Sequence, residues 1–170
     1  MNTRRERSIR PRRSFIFTPG LKPEMFPKAL ASGTDMVCIE LEDGVAPKYK
    51  DEARKNGLAL FEQPQADDGV ERIMRINSLR SAFGIADVQA ILACETPPPG
   101  LMLPKVMSPD EINWLEELLN ECGHDCRLHV IIETNAGLEA AFEIARASRR
   151  IEALFFGGVD MAAELRCSNA

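Results

Sequence analysis

Six short apolar segments alternate with segments of helical pattern, and this alternation limits the fold more than any other feature of the sequence. Six β-strands are predicted, over residues 14–18, 35–42, 71–77, 101–106, 128–133 and 152–157. Strands that alternate with helices through short loops are joined by right-handed crossovers and form a parallel sheet covered by helices. The nearly continuous apolar character of the strands agrees with a sheet that is buried on both faces.

Two architectures contain such a sheet, an open doubly wound fold and a (β/α)8 barrel. No Gly-rich dinucleotide-binding turn follows the first strand, which lies in the segment SFIFTPG over residues 14–20. Most of the predicted strands end in polar residues, which is where barrel enzymes carry their chemistry. The sequence therefore favours a TIM barrel.

The length of the chain is short for this fold. A complete barrel of this type needs about 250 residues, whereas the chain has 170 and stops soon after the sixth strand. It thus covers about six of the eight βα units, which favours a shortened form of a longer product over a partner that covers the open edge. We expect the chain as it stands to associate or to be insoluble, and to catalyse inefficiently, because strand edges and apolar surface are exposed.

Basic residues are concentrated at the amino terminus. The first 13 residues contain six Arg and one Glu, and the rest of the chain carries more acidic than basic residues. We predict a mobile basic arm over residues 1–12 and a TIM-barrel domain over residues 13–170. The arm has no aromatic residue that can stack on bases and the body is acidic, so a nucleic-acid partner is not expected.

The apolar runs and the cysteines of the sequence bear on the cellular location of the protein. No run approaches the roughly 18 apolar residues that a membrane-spanning helix needs, and we predict a cytoplasmic protein without a membrane partner. The five Cys residues are an odd number without framework spacing, which favours free thiols. The segment CGHDC, residues 122–126, fits no common zinc pattern and is interpreted as a loop at a helix end.

Polar residues end five of the six predicted strands. In chain order they are Glu40, Glu42 and Asp43; Arg75 and Asn77; Lys105; Glu133; and Asp160, which follows Gly157 and Gly158. If the strands are parallel, these side chains converge at one open end of the barrel, the end at which the strands finish, which is called the mouth below. Each residue alone can be an ordinary strand-end cap, but the repetition over five strands favours a site.

The chemistry of these residues suits a cation and an anionic substrate. Glu133 and Asp160 come from neighbouring strands, and with waters and a substrate oxygen they suit an octahedral Mg²⁺. Arg75 is expected to face this ion across the mouth, where its planar guanidinium can hold a substrate carboxylate. Gly157 and Gly158 allow a ligand to approach the backbone closely.

Six segments of the sequence resemble the citrate lyase beta-subunit-like family, which includes malyl-CoA and citramalyl-CoA lyases and belongs to the HpcH/HpaI aldolase superfamily. They read RRSFIFTPG, IELEDGVAP, MRIN, LMLPKV, IIETNAG and FFGGVDMAAEL, in order and at the family's intervals, and cover roughly residues 12–166. The resemblance implies a TIM barrel of the phosphoenolpyruvate/pyruvate type, with Mg²⁺ or Mn²⁺ as cofactor and CoA as part of the substrate. It also implies a homotrimer for a complete form.

The resemblance also assigns roles to individual residues. Glu133 and Asp160 match the two metal ligands, and Arg75 matches the arginine that binds the keto-acid carboxylate. The backbone N–H groups of Gly158, Val159 and Asp160 match a cradle for that carboxylate at a helix start.

Further roles follow for acidic and basic residues near the first two loops. Glu42 and Asp43 match the acidic pair that supports the site and binds metal-bound waters. Arg13, Lys22 and Lys28 are predicted contacts for the CoA phosphates.

The activity that the resemblance implies is a Mg²⁺-dependent carbon–carbon lyase. It splits a CoA thioester of a hydroxy-dicarboxylic or tricarboxylic acid into an acyl-CoA and a keto acid. Two alternatives stay open, a family member that binds CoA derivatives without turnover and a metal-dependent aldolase that acts on free keto acids. The general acid or base is not identified, since His124 lies in a loop and His129 early in a strand. Met107 stands where the family often has an acid.

Overall fold

The described part of the chain forms one parallel sheet of six strands. The structure, a computed structural model, describes residues 11–167. The strands are β1 (Phe15–Pro19), β2 (Met36–Glu40), β3 (Glu71–Arg75), β4 (Gly100–Leu103), β5 (Arg127–Ile132) and β6 (Ile151–Phe156). They pair in parallel in the order β1-β2-β3-β4-β5-β6. The predicted parallel strands in barrel order are confirmed.

Helices follow the strands, as the alternation predicts. They are α1 (Phe26–Leu30), α2 (Lys50–Ala59), α3 (Ala82–Leu92), α4 (Pro109–Glu121), α5 (Asn135–Glu139), α6 (Ala141–Ala147) and α7 (Gly158–Leu165). Single 3₁₀ turns precede α1 at Pro23–Met25 and α2 at Pro47–Tyr49. The helical pattern after the fifth strand is divided, because α5 ends before α6 begins. The chain therefore contains six βα units in the order of a TIM barrel.

The two faces of the sheet have separate apolar cores, and the division follows the period-2 alternation of strand side chains. Val37, Ile39, Met74 and most other core residues pack between the sheet and the helices. A smaller cluster fills the opposite, inner face, and its members are Met36, Cys38, Ile73, Met102 and Ile131, with Phe155 against them.

The sheet is curled, as a barrel wall is. β1 and β6 lie at opposite ends of the strand order, yet the rings of Phe15 and Phe155 are 5.6 Å apart between centroids. Both edge strands also expose large apolar side chains, including Ile16 and Phe156. The expected exposure of strand edges and apolar surface is thus present within the described residues.

A buried polar cluster joins strands at the amino end of the barrel. Arg12 Nε donates to Glu71 Oε2 at 2.6 Å, and its guanidinium also lies 3.4 Å from Glu152. The His129 ring, which is fully buried, has Nε2 at 3.0 Å from Glu71 Oε1, but neither ring nitrogen meets hydrogen-bond geometry. Burial raises the pKa of Glu71, but its contacts with His129 and Arg12 outweigh burial and lower it to about 2. His129 is therefore structural and far from the mouth, as predicted.

The predicted arm needs one correction at its end. Residues 1–10 lie outside the described residues, so the mobility predicted for them stays a prediction. Arg12, which the sequence places in the arm, instead pairs with carboxylates of β3 and β6. It belongs structurally to the barrel domain.

The cysteines are free thiols, as the sequence predicts. All five Cys residues are free, and within CGHDC the ring of His124 contacts the Leu92 carbonyl oxygen at 3.2 Å. Over residues 11–167 there is no helix with the length and apolar character that a membrane crossing requires.

Candidate metal and keto-acid site

Glu133 is the most buried carboxylate at the carboxyl ends of β5 and β6. It stands two residues after Ile131 of the inner cluster, so strand alternation directs it to the inside of the barrel. Only 3% of the residue is exposed, and Oε1 accepts a hydrogen bond from the backbone N–H of Lys105 at 2.8 Å. Burial raises the pKa of Glu133 to about 7, and the charges of Asp160 and Glu42 act in the same direction, while Lys105 opposes them. The carboxylate thus lies where a cation is strongly favoured.

Asp160 shares a cleft with Glu133. The cleft has a volume of about 260 Å³, and its lining residues are Lys105, Glu133, Thr134, Asp160, Ala163 and Glu164. Asp160 lies in the first turn of α7, whose N-cap Gly157 provides no side-chain cap. The first N–H groups of a helix have no partner within the helix, so those of Gly158, Val159 and Asp160 are available to an anion. The structure brings the two predicted metal ligands and the predicted carboxylate cradle together.

Arg75 points into the barrel at the end of β3. It continues the inner face after Ile73, and its Nε donates to Glu40 Oε2 at 2.6 Å, with a second contact between its Nη2 and the same oxygen. Its Nη1 lies 3.4 Å from Glu42 Oε2, and its guanidinium carbon lies 4.6 Å from the centre of the Phe17 ring. Arg75 is therefore paired with two carboxylates rather than free. The two carboxylates are those of Glu40 and Glu42.

Glu42 and Asp43 are held on the same side of the mouth by Lys105. Lys105 Nζ donates to Glu42 Oε1 at 2.5 Å and lies 3.5 Å from both carboxylate oxygens of Asp43. Burial raises the pKa of Glu42, against the opposing effect of Lys105 and Arg75. Asp43 is exposed, whereas Glu42 is buried.

These residues fit a divalent cation. Within residues 11–167 no three His, Cys, Asp or Glu side chains form a ligand group. A Mg²⁺ ion held by one or two carboxylates takes its remaining ligands from waters and substrate oxygens. Among the residues that the structure describes, Glu42 Oε2 is buried without a hydrogen-bond partner, and Glu133 accepts one hydrogen bond, through Oε1. Oxygen atoms of this kind favour a nearby cation.

Asn77 does not join the mouth. The sequence places it on the face of Ile73 and Arg75, but β3 ends at Arg75. The Asn77 side chain instead donates to Asp87 Oδ2 at 2.7 Å. Asp87 is fully buried in α3 and also pairs with Arg54, so Asn77 belongs to a structural network between helices and strand.

The predicted CoA contacts are divided between the two ends of the barrel. Lys22 follows the carboxyl end of β1, and Lys28 lies in α1, and both are exposed. Arg13 precedes β1 and binds Asp35, which precedes β2, through Nε and Nη2 at 3.1 and 2.9 Å. Arg13 therefore lies at the amino ends of the strands, away from Glu133, and its role as a phosphate contact stays a prediction that this position does not support.

Two lysines support the mouth without having been assigned a role from the sequence. The sequence pattern identifies Lys105 only as a polar residue at the end of a strand. Lys50 is buried in the first turn of α2, and its Nζ donates to the carbonyl oxygens of Leu41 and Glu42 at 2.7 and 2.6 Å. It fixes the backbone that carries Glu42. No sequence signal identifies Lys50, since a lysine at a helix start is ordinarily exposed.

Gly157 provides the space that Glu133 occupies, and this permits a prediction. A Cβ at position 157 would lie 2.4 Å from Glu133 Oε2 and 2.6 Å from Glu133 Cβ, whereas a Cβ at Gly158 would meet only the Phe156 ring at 3.6 Å. We expect Gly157→Ala to displace the carboxylate and to lower Mg²⁺ affinity by about tenfold or more, which corresponds to roughly 1.4 kcal/mol. Gly158→Ala is the matched control and should keep wild-type affinity in calorimetric titration. Equal affinities in the two variants would contradict the placement of Glu133.

Comparison with known proteins gives the same family as the sequence motifs. A family model described as HpcH/HpaI aldolase/citrate lyase matches residues 13–170. The chain is 32% identical over 168 residues to citrate lyase subunit beta of Escherichia coli K12, which covers 95% of this chain and 55% of that protein. It is 34% identical over 164 residues to an L-malyl-CoA/beta-methylmalyl-CoA lyase of Cereibacter sphaeroides, which covers 92% of this chain and 51% of that protein.

A solved structure is similar in fold as well. Protein CitE of Mycobacterium tuberculosis, in complex with magnesium and acetoacetate, matches with a TM-score of 0.71 and 29% identity, over 91% of this chain and 58% of that chain. The chain spans about half the length of the curated relatives it matches. With a family model that matches from residue 13 to residue 170, the chain belongs to the HpcH/HpaI aldolase/citrate lyase family.

Proposed function

We propose that the protein is a Mg²⁺-dependent carbon–carbon lyase that acts on a CoA thioester of a hydroxy-dicarboxylic or tricarboxylic acid. The products are an acyl-CoA and a keto acid. The observation that supports this most is the shared cleft of Glu133 and Asp160 at the start of α7. The names of the relatives, citrate lyase subunit beta and malyl-CoA lyase, support the same class of reaction.

Different residues of the mouth bind the metal ion, the keto acid and the CoA phosphates. Glu133 and Asp160 would hold Mg²⁺, or Mn²⁺ in its place, and the ion would supply Lewis acidity toward the keto-acid oxygens. Arg75 and the N–H groups at the start of α7 bind and orient the keto-acid carboxylate. Lys22 and Lys28 contact the CoA phosphates at the exposed rim.

Cleavage requires one proton to leave the substrate and one to enter the product. The hydroxyl proton is removed as the carbon–carbon bond breaks, which gives the keto acid and a thioester enolate. The enolate carbon then takes up a proton to give the acyl-CoA. The positive charge of Arg75 stabilises the negative charge that develops on the hydroxyl oxygen at the keto-acid end as the proton leaves. Glu42 and Asp43 support the site through waters.

The proposal is tested by incubating the protein with citryl-, malyl- or citramalyl-CoA and following products by mass spectrometry. We expect a keto acid and an acyl-CoA to form with Mg²⁺ and not with EDTA. Binding of the thioester without cleavage would instead indicate a CoA-binding member without turnover. Cleavage of the free hydroxy acid without CoA would indicate an aldolase on free keto acids.

We further propose a homo-oligomer, in particular a homotrimer. Large apolar side chains are exposed on α6, β6 and α7, including Phe142, Phe156 and Val159, and apolar surface of this extent favours association. Sedimentation velocity should show a species larger than a monomer at micromolar concentration. A stable monomer over days would contradict this prediction.

A further inference from the structure

Lys105 has an unusual backbone conformation for its residue type. It follows β4 with φ of 55°, in the left-handed region. For residues other than Gly this conformation is unfavourable, because Cβ lies too close to the backbone carbonyl oxygen, and Lys has no short polar side chain that offsets the cost locally. Strain of this kind persists where surrounding contacts require it, often near functional sites. The contacts that Lys105 makes in this conformation therefore indicate its role.

The contacts join two acidic parts of the mouth. The backbone N–H of Lys105 donates to Glu133 Oε1 at 2.8 Å. Its side chain turns the other way, and Nζ donates to Glu42 Oε1 at 2.5 Å. The ion pair with Glu42 engages the side chain, and the left-handed φ directs the backbone N–H to Glu133.

The hydrogen bond determines which oxygen Glu133 presents. Oε1 is occupied by the N–H of Lys105, and Oε2 lies beside Gly157, in the space that a Cβ would fill. We propose that Lys105 is a positioning residue, whose left-handed backbone orients Glu133 so that Oε2 is free to bind the metal ion. This inference rests on the proposed function for the identity of that ligand.

A purely stabilising role does not account for these contacts. The side chain of Lys105 is 32% exposed, and a partly exposed ion pair contributes little to stability. The N–H contact, in contrast, reaches the most buried carboxylate of the cleft. The backbone conformation and the charge can be separated by choosing substitutions that differ in their tolerance of positive φ.

Lys105→Gly and Lys105→Val form the test, because both remove the ammonium group. Gly adopts positive φ freely, whereas a β-branched residue at positive φ is an outlier. We expect Lys105→Gly to keep the N–H contact and to bind Mn²⁺ within about threefold of wild type. We expect Lys105→Val to lose the contact and at least about tenfold in affinity, roughly 1.4 kcal/mol. Mn²⁺ affinity is measured by electron paramagnetic resonance, and Lys105→Ala replaces the Val variant if that variant does not fold.

Crystal structures of the same variants measure the orientation of Glu133 without any metal. Rotation of the carboxylate in Lys105→Val, but not in Lys105→Gly, supports the inference. Equal Mn²⁺ affinity in the two folded variants, or an unchanged Glu133 in Lys105→Val, overturns it. If wild type binds no Mn²⁺ while the carboxylate rotates as expected, the proposed function fails and the positioning role stands.

Discussion

Replacing Glu133 with Gln is expected to lower the affinity for Mg²⁺ by about tenfold or more, roughly 1.4 kcal/mol or above. The substitution keeps the size of the side chain and removes one charged ligand from a site with two carboxylates, and hard cations depend strongly on ligand charge. The variant should stay folded, because the buried carboxylate, whose pKa is raised to about 7 by burial, becomes neutral. Calorimetric titration with Mg²⁺ in the presence of oxaloacetate measures the change.

Glu164→Gln is the matched control for this change. Glu164 lines the same cleft, but it is exposed and its Oε2 accepts from the backbone N–H of Asn135 at 3.3 Å. Its substitution should leave the Mg²⁺ affinity close to that of wild type. If Glu133→Gln binds Mg²⁺ as tightly as Glu164→Gln does, Glu133 is not a ligand.

Replacing Arg75 with Lys is expected to reduce the affinity for a keto acid by about tenfold or more, again roughly 1.4 kcal/mol. Lysine keeps the charge but cannot present two parallel N–H donors to a carboxylate. Arg75 binds Glu40 and lies near Glu42, so a metal ion that attracts Glu42 would leave part of the guanidinium available to the substrate. Titration with glyoxylate or oxaloacetate at saturating Mg²⁺ measures the loss.

The pairing of Arg75 with Glu40 suggests a structural alternative that the same variant tests. A residue that only stabilises the barrel would, when changed to Lys, lower the melting temperature and leave keto-acid affinity intact. Arg80→Lys is a suitable control, since Arg80 follows the same strand and its exposed guanidinium pairs with Glu111. Unchanged keto-acid binding in a folded Arg75→Lys protein would remove the substrate anchor from the proposed lyase.

The strands and the position of Glu133 were predictable from local pattern alone. Alternation of inner and outer side chains is a property of neighbouring residues, so Arg75 follows Ile73, and Glu133 follows Ile131, on the same inner face of the sheet. Because parallel strands end at one edge, polar residues at their carboxyl ends had to meet. The same rule failed at Asn77, which lies two residues beyond the end of β3 and donates to the buried Asp87, whereas Glu133 directly follows the last residue of β5.

Other features depend on distances that sequence does not contain. Arg13 is only seven positions before Gly20, but the five-residue strand between them spans about 16 Å and places them at opposite ends of the barrel. The left-handed conformation of Lys105 has no signature in residue type, because Gly or Asn is the usual choice there. Lys50 is identified only when the carbonyl groups of Leu41 and Glu42 are seen at its Nζ.

Anomalous diffraction from crystals grown with Mn²⁺ and oxaloacetate tests most directly whether this mouth is a metal and keto-acid site. We predict a Mn²⁺ peak bound by Glu133 Oε2 and the Asp160 carboxylate, with the keto-acid carboxylate between Arg75 and the start of α7. A Mn²⁺ ion bound elsewhere on the protein, or a keto acid that does not approach Arg75, would contradict the proposed site.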